Sequence, residues 1–150
     1  MLSPALEALY RGDVEKASEL RAPDDDLPAY EAAAFGRVER LRQLLDDAPA
    51  AANERSPDGF TALHLAIFGG NEDAVRLLLE RGADPNALAT SEIARVRPLG
   101  TAAFVKRPDL EKVLLEAGAD PSLAREERRK AAPPSIGYTF ARARRRSSVG

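Results

Sequence analysis

Thr61-Ala-Leu-His-Leu-Ala-Ile-Phe68 runs through Gly69-Gly70-Asn71 to Leu77-Leu78-Leu79-Glu80 and closes on Gly82-Ala-Asp-Pro-Asn86. At an offset of 36 the passage returns as Arg97-Pro-Leu-Gly-Thr-Ala-Ala-Phe104 through Leu114-Leu115-Glu116 to Gly118-Ala-Asp-Pro-Ser122. A weaker copy lies upstream at an offset of 34, where Pro28-Ala-Tyr-Glu-Ala-Ala-Ala-Phe-Gly36 matches residues 62–70 and Leu44-Leu45-Asp46 matches Leu78-Leu79-Glu80. A degenerate fourth copy opens the chain, with Gly12 of Ala5-Leu-Glu-Ala-Leu-Tyr-Arg-Gly12 in the place of Gly36 and Gly70. Self-similarity at this period points to repeated structural units.

Each unit reads as a helix pair. Ala62 to Phe68 is short and apolar, and Gly69-Gly70 breaks it. Asn71 then suits an N-cap, with Glu72 and Asp73 favourable at a helix N-terminus. Ala74, Val75, Leu77 and Leu78 form an apolar stripe at helical spacing, matched in the next copy by Leu110, Val113 and Leu114. Pro108 falls in a first turn, where its missing N–H costs little. Gly82 and Gly118 stand where a left-handed residue ends a helix. A pair this small cannot cover its own apolar face, so neighbouring pairs must stack. The expected fold class is all-α, a short α-solenoid of about four helix-turn-helix repeats, the first degenerate.

Composition agrees and narrows the chemistry. The 150 residues are 44% hydrophobic but only 5% aromatic, without Trp, so the core must be made mostly of Ala and Leu. The absence of cysteine excludes disulfides, thiolate metal sites and cysteine nucleophiles. A single histidine, His64, excludes a multi-histidine zinc site. No apolar run is long enough to span a bilayer, and Met1 to Tyr10 lacks the pattern of a secretory signal, which gives a cytoplasmic expectation without membrane contact.

The net charge of -2 hides a division. Residues 1–124 carry 14 Lys and Arg against 22 Asp and Glu, a net -8, whereas residues 125–150 carry 8 against 2, a net +6. The expected organisation is a repeat domain over 1–122 and a basic, mostly disordered tail over 123–150, whose first part can continue as a capping helix after Ser122.

The third unit resembles the ankyrin-repeat family through Asp58-Gly59-Phe-Thr-Ala-Leu-His-Leu-Ala66, the two Gly-Ala-Asp-Pro ends and a period near 33 residues. The resemblance covers about residues 3–122 and departs from the pattern at Ala62, at Gly100 in the place of His64, and in an insertion at 88–96. It implies that Thr61 and His64 hydrogen-bond within and between repeats as structural residues, not catalytic ones. It also implies that Phe60, Phe68 and Phe104 sit at variable positions on the concave side, with Phe35 one residue beyond the place matching Phe68. Those rings are either a partner site or inter-repeat packing.

Arg95, Arg97, Lys106 and Arg107 add positive charge beside Phe104, so the expected partner is apolar in the middle and acidic near the fourth unit. Ser56 and Asp58, near His64 in sequence, fall at a loop tip and imply no oxyanion site. Asp24-Asp25-Asp26 and Asp46-Asp47 lack the spacing of a calcium loop and read as solvated charges. No catalytic residue, metal or cofactor is expected. The functional expectation is a protein–protein interaction module binding an unidentified protein through Phe35, Phe60, Phe68, Arg95 and Phe104. The alternative is association with nucleic acid through the arginine-rich tail around Arg142 to Arg146.

Overall fold

The structure is a computed structural model that describes residues 2–92 and 94–124. The tail readings for residues 125–150 lie outside the described residues. Eight helices follow in order among them: α1 (Pro4–Tyr10), α2 (Val14–Leu20), α3 (Ala29–Ala34), α4 (Val38–Asp47), α5 (Ala62–Phe68), α6 (Glu72–Glu80), α7 (Pro98–Phe104) and α8 (Pro108–Glu116). Short 3-10 turns occupy Asp24–Asp26 and Pro49–Asn53, and the only β pairing among the described residues is an isolated Arg55–Thr61 bridge.

Three units stack as the repeats require. The inner helices α3, α5 and α7 pack in sequence, and α4, α6 and α8 form the outer row. Small residues permit the close inner contact: Ala29, Ala32, Ala33, Ala62, Ala66 and Ala102 are all buried. The outer stripes close the core through Leu41 and Leu45, Val75 and Leu78, and Leu110 and Leu114. Helix starts follow local chemistry. Thr61 caps α5 by accepting from the His64 N–H at 3.2 Å, and Pro98 and Pro108 occupy first-turn positions. Gly82 and Gly118 have φ of 91° and 102° beyond the ends of α6 and α8.

Side-chain amides tie one unit to the next. Asn53 donates to the Gly82 carbonyl at 3.2 Å and accepts from the Asp84 N–H at 2.9 Å. One unit on, Asn86 repeats the pair with Gly118 and Asp120. Asn71 holds the N-cap position of α6, but its side chain does not cap that helix. It reaches back to donate to the carbonyls of Ala33 and Ala34 at 3.1 and 2.9 Å, which corrects the capping role read from sequence.

The first copy forms its helix pair but does not extend the stack. In the regular units, a side chain at Gly36 would strike Asn71 of the following unit, and one at Gly70 would approach Arg107; at Gly12 the space is open. Arg37, which matches Asn71, instead grips Asp24 at 2.7 Å, and Arg21 joins the same carboxylate at 2.8 Å. Asp24 is therefore a paired anchor and not a freely solvated charge. Residues 21–27 lie on the end of the stack, where Ala22 and Leu27 pack against the main core. This detour carries α1 and α2 onto the exposed side of the inner helices, and Tyr10 reaches the rings of Phe60 and Phe68 two units away.

At the other end, the described chain turns helical again at residues 121–124, and Ala124 is buried in the main core.

Candidate functional site

His64 is 1% exposed and bonded through both ring nitrogens. Its Nε2 lies 2.7 Å from the Val96 carbonyl, which can only accept, so Nε2 carries the proton. Nδ1 then accepts from the Thr61 hydroxyl at 2.6 Å. Burial holds the imidazole down at about 4, far below its ordinary range. The insertion that supplies Val96 is thus bonded to the third unit, with further bonds from Thr90 N–H to Gly59 O and between Ala89 and Val96.

Ser56 does not stand at an exposed tip. It is 4% exposed and donates to Asp58, not to His64, so no nucleophile, base and orienting acid come together. Among the described residues no cluster of three His, Cys, Asp or Glu could hold a metal ion.

The aromatic residues divide into two groups. Phe35, Phe68 and Phe104 line an open groove of about 390 Å³ with Leu9, Val14 and Val105, so that every unit contributes. Phe104 is 47% exposed, while Phe35 and Phe68 are half-buried. Phe60 lies apart, on the hairpin before α5. Tyr10 joins the groups, its ring centroid 5.6 Å from Phe68 and 6.0 Å from Phe60, both edge to face. Phe60 and Phe68 pack against α1, and Phe68 also borders the groove.

Tyr10 and Val14 escaped the sequence reading because they belong to the first copy, which periodicity assigns to the end of a stack. The one available signal was that Tyr10 stands in a chain with only eight aromatic residues. The basic residues also separate. Arg95 and Lys106 are exposed. Arg97 donates to the Asn86 carbonyl at 2.6 Å, and Arg107 pairs with Asp109 at 2.7 Å and reaches the Gly70 carbonyl at 3.2 Å. Of the four basic residues expected beside Phe104, Arg97 and Arg107 are thus engaged within the chain.

Stacked helix pairs, a continuous inner face and hairpins projecting from it define a short helical repeat scaffold. The chain belongs to the ankyrin-repeat family: the model for ankyrin repeats (3 copies) matches residues 3–89 and 30–125. Ankyrin repeats are generally protein–protein interaction modules. The chain is 40% identical over 68 residues to ankyrin repeat and SOCS box protein 3 of Bos taurus, covering 44% of this chain and 13% of that protein. It is 37% identical over 87 residues to the DNA-binding protein RFXANK of Homo sapiens, covering 58% of this chain and 33% of that one. The crystal structure of the human ASB11 ankyrin repeat domain is similar with a TM-score of 0.55 and 33% identity, over 63% of this chain and 41% of that one. The chain therefore spans well under half of each of these relatives.

Proposed function

We propose that the chain is a non-catalytic interaction module that engages a partner protein in the cytoplasm through the open side of its inner helices. The observation that carries this reading is the groove in which Phe35, Phe68 and Phe104, from three successive units, converge. Rings held by a rigid stack present apolar area at low entropic cost, and such anchors dominate interface energies. The described residues bring together no set of groups for acid–base or nucleophilic chemistry. Among the described residues no helix is long and apolar enough to cross a membrane.

The test is affinity capture from cytosolic extract with the full chain and with a Phe68→Ala/Phe104→Ala variant. A specific partner should lose at least about 2 kcal/mol of affinity, roughly thirtyfold, while cooperative unfolding is retained. Equal capture by a folded variant would refute the groove as the binding surface. A second reading, association with nucleic acid, is supported by the arginines at 142–146 and by similarity to a protein named as DNA-binding. It predicts nucleic-acid binding that falls steeply with salt and ignores the two phenylalanines.

A further inference from the structure

The turn after α7 holds a residue in a conformation that costs stability. Lys106 has φ of 58°, and among the described residues it is the one non-glycine with positive φ. The equivalent places in the other copies are Gly12, Gly36 and Gly70, with φ of 82°, 67° and 71°. A Cβ is disfavoured in that region, and lysine gains nothing local to set against the strain. Its N–H donates to the Ala103 carbonyl at 3.2 Å, but Gly70 makes the same bond to Ile67. Its side chain is exposed, and among the described residues its ammonium has no hydrogen-bond or ion-pair partner. Open space alone does not account for it either, since a side chain at Gly12 would also meet nothing, and that copy keeps glycine. Strain retained without local compensation points to a position held for a ligand.

Its neighbours identify the surface it serves. Phe104 and Val105, the two residues before it, line the open groove. The charges around that groove are unequal. Arg107 is occupied by Asp109 and the Gly70 carbonyl, Arg97 by the Asn86 carbonyl, and no residue of the insertion that carries Arg95 lines the groove. Among the described residues Lys106 is thus the uncompensated cation beside Phe104. On the wall built from Gly12, Val14 and Ser18, Arg11 pairs with Glu7 and Lys16 with Glu19, which leaves Asp13 and Glu15 as net negative charge.

We propose that Lys106 sets the charge specificity of the groove by meeting a carboxylate of the bound partner. The proposal rests on the interaction reading above and specifies its partner: an apolar segment that covers the phenylalanines and carries an aspartate or glutamate at the end lying on the fourth unit. Lysine suits such a rim because its aliphatic stem can lie along apolar surface while the ammonium stays in water. Asp13 and Glu15 repel the same carboxylate from the α2 wall, so the opposed charges fix the direction in which the segment lies. Glycine at 106 would fold more stably and discriminate less, a trade of stability for function.

The experiment selects short displayed peptides on the full chain and keeps those whose affinity falls at least about tenfold with Phe68→Ala/Phe104→Ala, which defines groove binders. Groove binders should be enriched in Asp or Glu at one end of their apolar stretch. Their affinity should fall about three- to fivefold with Lys106→Gly and with Lys106→Gln, and at least about tenfold with Lys106→Glu. Replacing the peptide carboxylate by lysine should restore binding to Lys106→Glu. Lys106→Gly should lose affinity while its urea midpoint rises, and Lys106→Gln keeps the strain, so the two variants separate charge from folding. Groove binders without acidic enrichment, acidic binders indifferent to Lys106→Glu, or a loss with Lys106→Glu that reversal of the peptide's charge does not repair would overturn the proposal and leave the interaction reading standing. Absence of any groove binder would count against both.

Discussion

Neutral His64 satisfies Thr61 and Val96 together, so protonating it breaks an arrangement that the unfolded chain does not need. Its pKa falls from an ordinary 6.5 to about 4 on folding. As pH drops through 6.5, the unfolded chain takes up a proton that the native chain refuses until about 4, so stability is lost across that window and not further below it. About 3 kcal/mol is at stake at roughly 1.4 kcal/mol per pKa unit. Urea titrations at successive pH values should show this slope and its loss in His64→Gln; an unchanged slope in that variant would assign it elsewhere. Asp24 and Asp109 act lower. Hydrogen bonds and charge from Arg37 and Arg107 hold their pKa values below the ordinary carboxylate value, so their contribution is present above it and disappears as pH falls further. Lys106 makes a second residue-scale case. Its φ is 58° at the position occupied by Gly70 one unit earlier, where a side chain is strained. Lys106→Gly should raise stability by about 0.5–1 kcal/mol, the relief of strain being partly offset by the freer unfolded chain. A lower urea midpoint would contradict this.

At the scale of the helix pair, what the sequence made legible was whatever repeats. Three copies place the same glycines and leucines at the same offsets, so α3 to α8 follow from local pattern, and the range Ala62–Phe68 coincides with α5. Asn71 shows where local pattern stops. Its type and place suit a cap, but the carbonyls of Ala33 and Ala34 lie within reach only after stacking, and two inter-unit bonds outcompete one local bond. A cap and a cross-link respond differently to substitution. Asp keeps the capping oxygen and loses the amide donor, so Asn71→Asp and Asn71→Ala should both destabilise by about 1–3 kcal/mol. Wild-type stability in Asn71→Asp would restore the capping role. The insertion was visible as an interruption of the period, whereas the bond from His64 to Val96 depends on how that loop folds back.

The arrangement of the whole molecule was the least legible level. Gly12 and the short apolar runs beside it match later copies well enough to suggest a first stacked unit. Its actual place is set by distant contacts, Tyr10 between Phe60 and Phe68, Arg37 on Asp24, and Leu27 closing the core, none of which has a periodic signature. The candidate site shares this limit: the family resemblance could place Phe68 and Phe104 on one side, with Phe35 one residue out of register, but not the helices that border and cover that side. The central claim is that three units stack while α1 and α2 lie across their inner face. Nuclear Overhauser contacts from the Tyr10 ring test it most directly. They should connect Tyr10 to both Phe60 and Phe68, with no contact between Arg37 and Gly12; contacts placing Arg37 against Gly12, with Tyr10 remote from both phenylalanines, would contradict it.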